Sequence, residues 1–360
     1  MYSWIDAAAI SRIDSATLAH GRLDGDLGEL EQLAVLFRPP FLKALYEALA
    51  PTTSQGRLTR ALTIKLGWID KIPLAATKRF IERVELGDLA IFAFEQTVTS
   101  DSRPAGPAKA RGVFAQAKVV RALHRMRRPV VPAAPIKDST SRELELLTDW
   151  PKFTLYKSST SNDPLATGVD LRGHALGALP FGWYVAAPCD PRSRLGTPPL
   201  PWSSWWMAGP PIKSAPIDVT FGSFLVALLQ GTPISTGTGE LNVGHSFACA
   251  TYPPARTGDG WDRVCAEVLT LVEEGHAPQH VFGQSKTKIS SVEPILHSFL
   301  SRKQGLMHLF PRYAWWRPDD GHGPVFERTG DGWRRDHPAE RPPTGEGMPV
   351  LIIHSIVPEG

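Results

Sequence analysis

Two apolar segments, close together in the chain, constrain the fold most. Residues 88–97 read DLAIFAFEQT and residues 112–120 read GVFAQAKVV. Runs this apolar and this short predict strands buried on both faces. The polar stretch between them, roughly 98–111 with Pro104, Gly106 and Pro107, predicts a loop. Side chains alternate along a strand, so Gln116 and Lys118 share one side. A lysine inside an apolar strand is costly to bury without a partner. Asp88, which opens the preceding strand, is the expected partner, and with the side-chain oxygen of Gln116 it could also hold a divalent metal.

The surrounding pattern supplies candidate neighbours for these strands. Residues 28–49 predict helical structure, with Pro39-Pro40 breaking the run and Pro40 as a first helical residue. Ser54 or Thr53 could cap a further helix in which Leu58, Leu62, Leu66 and Ile69 recur at helical spacing. Residues 78–85 (KRFIERVE) alternate polar and apolar, as a half-buried strand does. A helix is expected over 140–149, stopped by Pro151, with strands over 153–158 and 182–188. Residues 190–216, rich in Pro, Ser and Trp, predict a long ordered loop. Helices follow at about 219–230, ended by Gly231, and at 261–274. The tail from 310 predicts short strands and loops.

The order helix, strand, strand, strand, helix, strand, with Asp88 and the triplet Gln116-Ala117-Lys118 on adjacent strands, resembles the PD-(D/E)xK, or restriction-endonuclease-like, superfamily over about residues 55–190. The resemblance implies an α/β fold, an α+β mixed sheet built on a restriction-endonuclease-like αβββαβ core. The core would span 51–190, between a helical N-terminal extension (1–50) and a C-terminal helical and loop region (191–360) packed on or extending it. It implies a metal-dependent endonuclease that hydrolyses DNA phosphodiester bonds with Mg²⁺ or Mn²⁺. Asp88, Gln116 and Lys118 would be the catalytic residues, and Asp88 and Gln116 the metal ligands. Glu95 is a reserve ligand, on the opposite face by parity, and Glu85 and Glu82 are further reserves. Glutamine stands where the motif usually has Glu or Asp, although some members carry glutamine there. An acid on the first helix often completes such a site, and no residue near Gln55 fills that slot.

Each residue also has an ordinary reading. Lys118 fits a strand-edge lysine that reaches solvent, Asp88 a turn residue after Gly87, and Gln116 a buried amide bonded to backbone. The fold could therefore be a catalytically inactive scaffold or a nucleic-acid- or protein-binding module.

Net charge is only +3, so no global field demands a polyanion. The run RALHRMRR over 121–128 is a local exception, and Arg121, Arg125 and Arg128 are candidate DNA contacts, with His124 more ordinary as a surface residue. DNA is the expected partner, with RNA also open. A homo-oligomer, or a partner protein in a restriction or phage-defence system, would fit such a nuclease. Trp202, Trp205 and Trp206 could stack on bases, but read better as anchors packed onto a core. Cys189, Cys249 and Cys265 match neither a disulfide framework nor a zinc pattern. Cys265 falls on the inner face of its helix. With no basic-apolar leader and no long apolar run, a reducing cytoplasm without membrane contact is expected. The chain has no GxGxxG, HExxH or GxSxG motif, and GTPISTGTGE (231–240) lacks the GK[ST] of a P-loop.

Overall fold

The computed structural model describes residues 2, 5–20, 29, 32–33, 36, 39–49, 61–69, 72–99, 104–120, 138–173, 180–188, 204–249, 254–256, 258, 260–274, 292–300, 307–310, 328–329, 332–333 and 348–358. Five helices are described: α1 (Ala8–His20), α2 (Pro39–Leu49), α3 (Ser139–Asp149), α4 (Phe221–Gln230) and α5 (Gly260–Glu274). The strands that matter first are β1 (Ala61–Ile69), β2 (Leu74–Thr77), β3 (Val84–Glu85), β4 (Leu89–Val98), β5 (Ala108–Val120), β6 (Phe153–Tyr156), β7 (Pro164–Val169) and β8 (Gly182–Pro188). They are followed by β9 (Met207–Gly209), β10 (Val219–Thr220), the hairpin β11 (Pro233–Thr236) and β12 (Gly239–Asn242), and β13 (His245–Cys249). Last come β14 (Val292–Leu300), β15 (Met307–Phe310), the short pair β16 (Arg328–Thr329) and β17 (Gly332–Trp333), and β18 (Met348–Pro358).

The chain is a mixed α/β protein organised on one ten-stranded sheet of order β10-β9-β8-β5-β4-β18-β1-β14-β15, with β13 also paired to β5. β4 and β5 are antiparallel, β5 and β8 are parallel, and β18 lies parallel to β4 and antiparallel to β1. β9, β10, β13, β14, β15 and β18, all after residue 190, belong to this same sheet. A separate sheet of order β3-β2-β6-β7 stands beside it.

Alternation along the central strands creates two cores. Leu89, Ile91, Ala93, Val113, Ala115, Trp183, Leu351 and Ile353 face one way, into a cluster with Ile13 of α1, Leu45 of α2 and Leu225 of α4. Ala90, Phe92, Phe94, Phe114, Tyr184, Val350 and Ile352 face the other way, toward Leu147 of α3 and Trp261 and Val264 of α5. The sheet is thus sandwiched between two helical layers.

Local chemistry sets the helix ends. The Asp138 carboxylate accepts from Ser141 N–H at 2.8 Å and caps α3. Trp150, left-handed at φ 41, ends it by donating its N–H to Leu146 C=O at 2.8 Å. Pro151 follows, as the sequence predicts. Thr220 caps α4, and Gly231 closes it at φ 71.

Several sequence expectations are corrected. Residues 61–69, expected within a helix, form β1 in the large sheet. The expected strand over 78–85 is mostly turn, and only Val84 and Glu85 are extended. The tail holds β18, a full central strand rather than a short one. Helix α1 lies in the segment 1–50 that was expected to be helical, although its bounds were not assigned. The expected strands over 88–97, 112–120 and 182–188 match β4, the second half of β5, and β8.

Candidate functional site

The site is assembled where β4 begins. Gly87 brings the chain so close to β5 that a Cβ there would lie 3.0 Å from Ala115 O. Asp88 N–H then donates to Ala115 C=O at 2.9 Å, which places the Asp88 side chain over the second half of β5. Its Oδ2 accepts from Gln116 Nε2 at 2.5 Å and from the Ala117 N–H at 2.7 Å. Both side chains are withdrawn from water, with Asp88 4% and Gln116 2% exposed. Burial pushes the Asp88 carboxyl up to about 8; Lys118 and the Ala117 N–H hold it back, and Glu85 and Glu29 raise it further.

The expected direct pairing of Lys118 with Asp88 is replaced by another. Lys118 Nζ lies 3.2 Å from Glu143 Oε2 and 3.3 Å from Glu29 Oε2. Burial by itself would lower the ammonium's pKa. Glu143, then Glu29 and Asp88, more than offset this, and the net shift is upward. Glu143 sits on α3, the helix that follows β5, and Glu29 lies in helical backbone ahead of α2. Neither acid was singled out in the sequence. Glu143 had a usable signal: it is one helical turn before Leu147, so both face inward. Glu29 had none beyond its place in a helical stretch, because the first-helix acid was sought near Gln55.

Tyr184 is a further residue the sequence did not flag. It stands on β8 beside Gln116 in the parallel register, and its ring is fully buried. Its hydroxyl and Gln116 Oε1 are buried polar atoms without a hydrogen-bond partner among the described residues. Burial, followed by the charges of Glu143, Asp88 and Glu29, drives the Tyr184 phenol far above its ordinary pKa.

The reserve acids go elsewhere. Glu95 stands seven residues along β4, roughly 23 Å of extended chain from Asp88, where its carboxylate accepts from Tyr2 N–H at 2.8 Å. Glu82 pairs with Arg142 at 2.7 Å. Glu85 is close enough for its charge to act on Asp88. Lys157 is exposed, and Cys265 is buried in the core, where burial pushes its thiol well up. Trp205 and Trp206 are buried, as anchors are. Arg121, His124, Arg125, Arg128, Cys189 and Trp202 lie outside the described residues.

Asp88, Gln116 and Glu143 offer oxygen donors, the class suited to Mg²⁺ and Mn²⁺ rather than to zinc. Among the described residues no group of three or more His, Cys, Asp or Glu side chains is arranged to hold a metal. Mg²⁺ characteristically takes only one or two carboxylates, with water and phosphate oxygens completing its shell, so two protein donors and the unpartnered Gln116 Oε1 fit such an ion.

No family profile, curated protein or solved structure matches this chain. No described helix is long and apolar enough to cross a membrane.

Proposed function

We propose that the protein is a metal-dependent nuclease that hydrolyses phosphodiester bonds in DNA, with Asp88, Gln116 and Lys118 in its active site. The observation that carries the reading is the convergence of four elements on one buried point: Asp88 before β4, Gln116 and Lys118 on β5, Glu143 on α3, and Glu29 from the helical segment before α2. With β1 in place of the expected helix, the order α2, β1, β4, β5, α3, β8 supports a restriction-endonuclease-like core, into which β18 is inserted between β1 and β4. In that order Glu29 takes the part of the acid expected from the first helix.

Asp88 and Gln116 would hold Mg²⁺ or Mn²⁺, with Glu143 as a further acid. Such an ion, when bound, polarises the phosphate and lowers the pKa of an attacking water. A cation held there would displace the proton of the raised Asp88 carboxyl, which would tie its affinity to pH. Lys118 offsets the charge that builds on the phosphate oxygens in the transition state. Glu143 and Glu29 hold the ammonium in position and keep it charged. A nuclease of this kind suits a role in restriction or phage defence.

The test is cleavage of plasmid and linear DNA in Mg²⁺ or Mn²⁺, by the wild type and by Lys118→Ala. Cleavage by the wild type, lost with chelator and in the variant, is expected. Undiminished cleavage by the variant overturns the site assignment.

A second reading rests on Lys118 already being neutralised by two acids, with an amide where a third carboxylate would serve a metal. In that reading the fold is a scaffold or nucleic-acid-binding module. Binding with a steep salt dependence and no cleavage would favour it.

A further inference from the structure

We propose that the Tyr184 hydroxyl donates a hydrogen bond to a non-bridging oxygen of the phosphate held between Asp88, Gln116 and Lys118, an inference that rests on the nuclease reading. A buried phenol O–H almost always finds a partner, because leaving it unpaired forfeits its hydration with no return. Tyr184 breaks that rule in the middle of a strand whose apolar neighbours are well packed. Its neighbour across the β5–β8 ladder, Gln116, breaks the same rule with Oε1. One orphan is a donor and the other an acceptor, on the same face of the sheet, in the strand pair that also carries Lys118. One kind of bound group that would meet both needs presents an anionic oxygen to the tyrosine and a cation to the amide oxygen. A phosphodiester bound with a divalent ion does so.

The surrounding charge decides what the tyrosine can be. Glu143, Asp88 and Glu29 lie near enough for their charges to act on the phenol. Burial within this acidic surround favours the protonated phenol, so Tyr184 serves as a donor. The acidic surround also makes the site inhospitable to an anion unless neutral donors and Lys118 compensate. Tyr184 is the neutral donor already in place, and its strand fixes it without a loop to order.

The experiment compares the wild type, Tyr184→Phe and Lys118→Ala. Urea unfolding comes first: Tyr184→Phe is expected to match or exceed the wild-type midpoint, since the atom it loses has no partner in the fold. A clear drop in the midpoint would mean that the hydroxyl serves the fold, and would overturn the proposal. Calorimetric titration with Mn²⁺, then with inorganic phosphate on the Mn²⁺-loaded protein, is expected to give unchanged Mn²⁺ affinity. Phosphate affinity in Tyr184→Phe should fall by about threefold or more, and kcat for DNA cleavage by about 10- to 100-fold. Phosphate affinity and kcat both at wild-type values, with Lys118→Ala inactive, overturn the role of Tyr184 and leave the nuclease reading standing. A wild type that cuts no DNA in either metal overturns the nuclease reading and this inference with it.

Discussion

Lys118 Nζ lies 3.2 Å from Glu143 Oε2, and both side chains are almost wholly withdrawn from solvent, at 13% and 11% exposure. A buried pair of this kind contributes little by existing, but breaking it on one side strands a charge. Glu143→Leu, and likewise Lys118→Met, is therefore expected to destabilise the fold by about 3 kcal/mol. Lys118→Met with Glu143→Leu should recover most of that loss. Urea unfolding of both single variants and the double variant measures the coupling, and strictly additive effects would show that the pair does not interact.

The raised Asp88 carboxyl gives a pH dependence of definite sign. Its pKa is about 8 in the fold and about 4 in an unfolded chain. The folded state therefore holds the proton more tightly. The stability linked to that proton is fully present below about pH 4 and is lost as pH rises through 8. Asp88→Asn should flatten the fall between pH 5 and pH 8 and leave the variant more stable than wild type at pH 8. Wild-type stability that rises across that interval, after correction by the variant, would contradict the assignment.

A cation that displaces the same proton must compete with it. Mn²⁺ should raise the unfolding midpoint more at pH 8 than at pH 6, and the difference should vanish in Asp88→Asn. Thermal scans with and without the ion read this directly. An equal Mn²⁺ shift at both pH values would show that Asp88 is not a ligand.

Glu29 is partly exposed, at 40%, so its removal should spare the fold while impairing the site. Glu29→Gln is expected to lower the rate of Mg²⁺-dependent cleavage by at least about tenfold with an unchanged unfolding midpoint. Wild-type cleavage by this variant would remove Glu29 from the site.

Much of the sheet was readable because its chemistry is local. Segments 88–97, 112–120 and 182–188 carry apolar runs that only two-sided burial explains, and Pro151 and Gly231 mark helix ends by stop chemistry. The failure at 61–69 has a clear cause. Leu58, Leu62 and Leu66 lie at helical spacing, yet Leu62, Ile64, Leu66 and Trp68 also alternate, and the β-branched Thr63, Ile64 and Ile69 favour the extended form. In 78–85 the alternation misleads, since Ile81 is fully exposed at a turn. Asp88, Gln116 and Lys118 were legible as one patch because two strands carry them. Glu29 and Tyr184 reach it only through tertiary packing, which no spacing in the sequence encodes, and for Glu143 the spacing to Leu147 marks an inward face but not its partner.

β18 lies between β4 and β1, with Val350 beside Ala90, a partner about 260 residues earlier in the chain. The strand next to Asp88 is therefore among the last parts of the described protein to leave the ribosome. Until it arrives, the edges of β4 and β1 are unpaired and the platform under the acids is incomplete. Such long-range closure makes folding slow and leaves nascent chains exposed to aggregation. It also means that a half-made copy lacks the strand against which β4, and with it Asp88, is held.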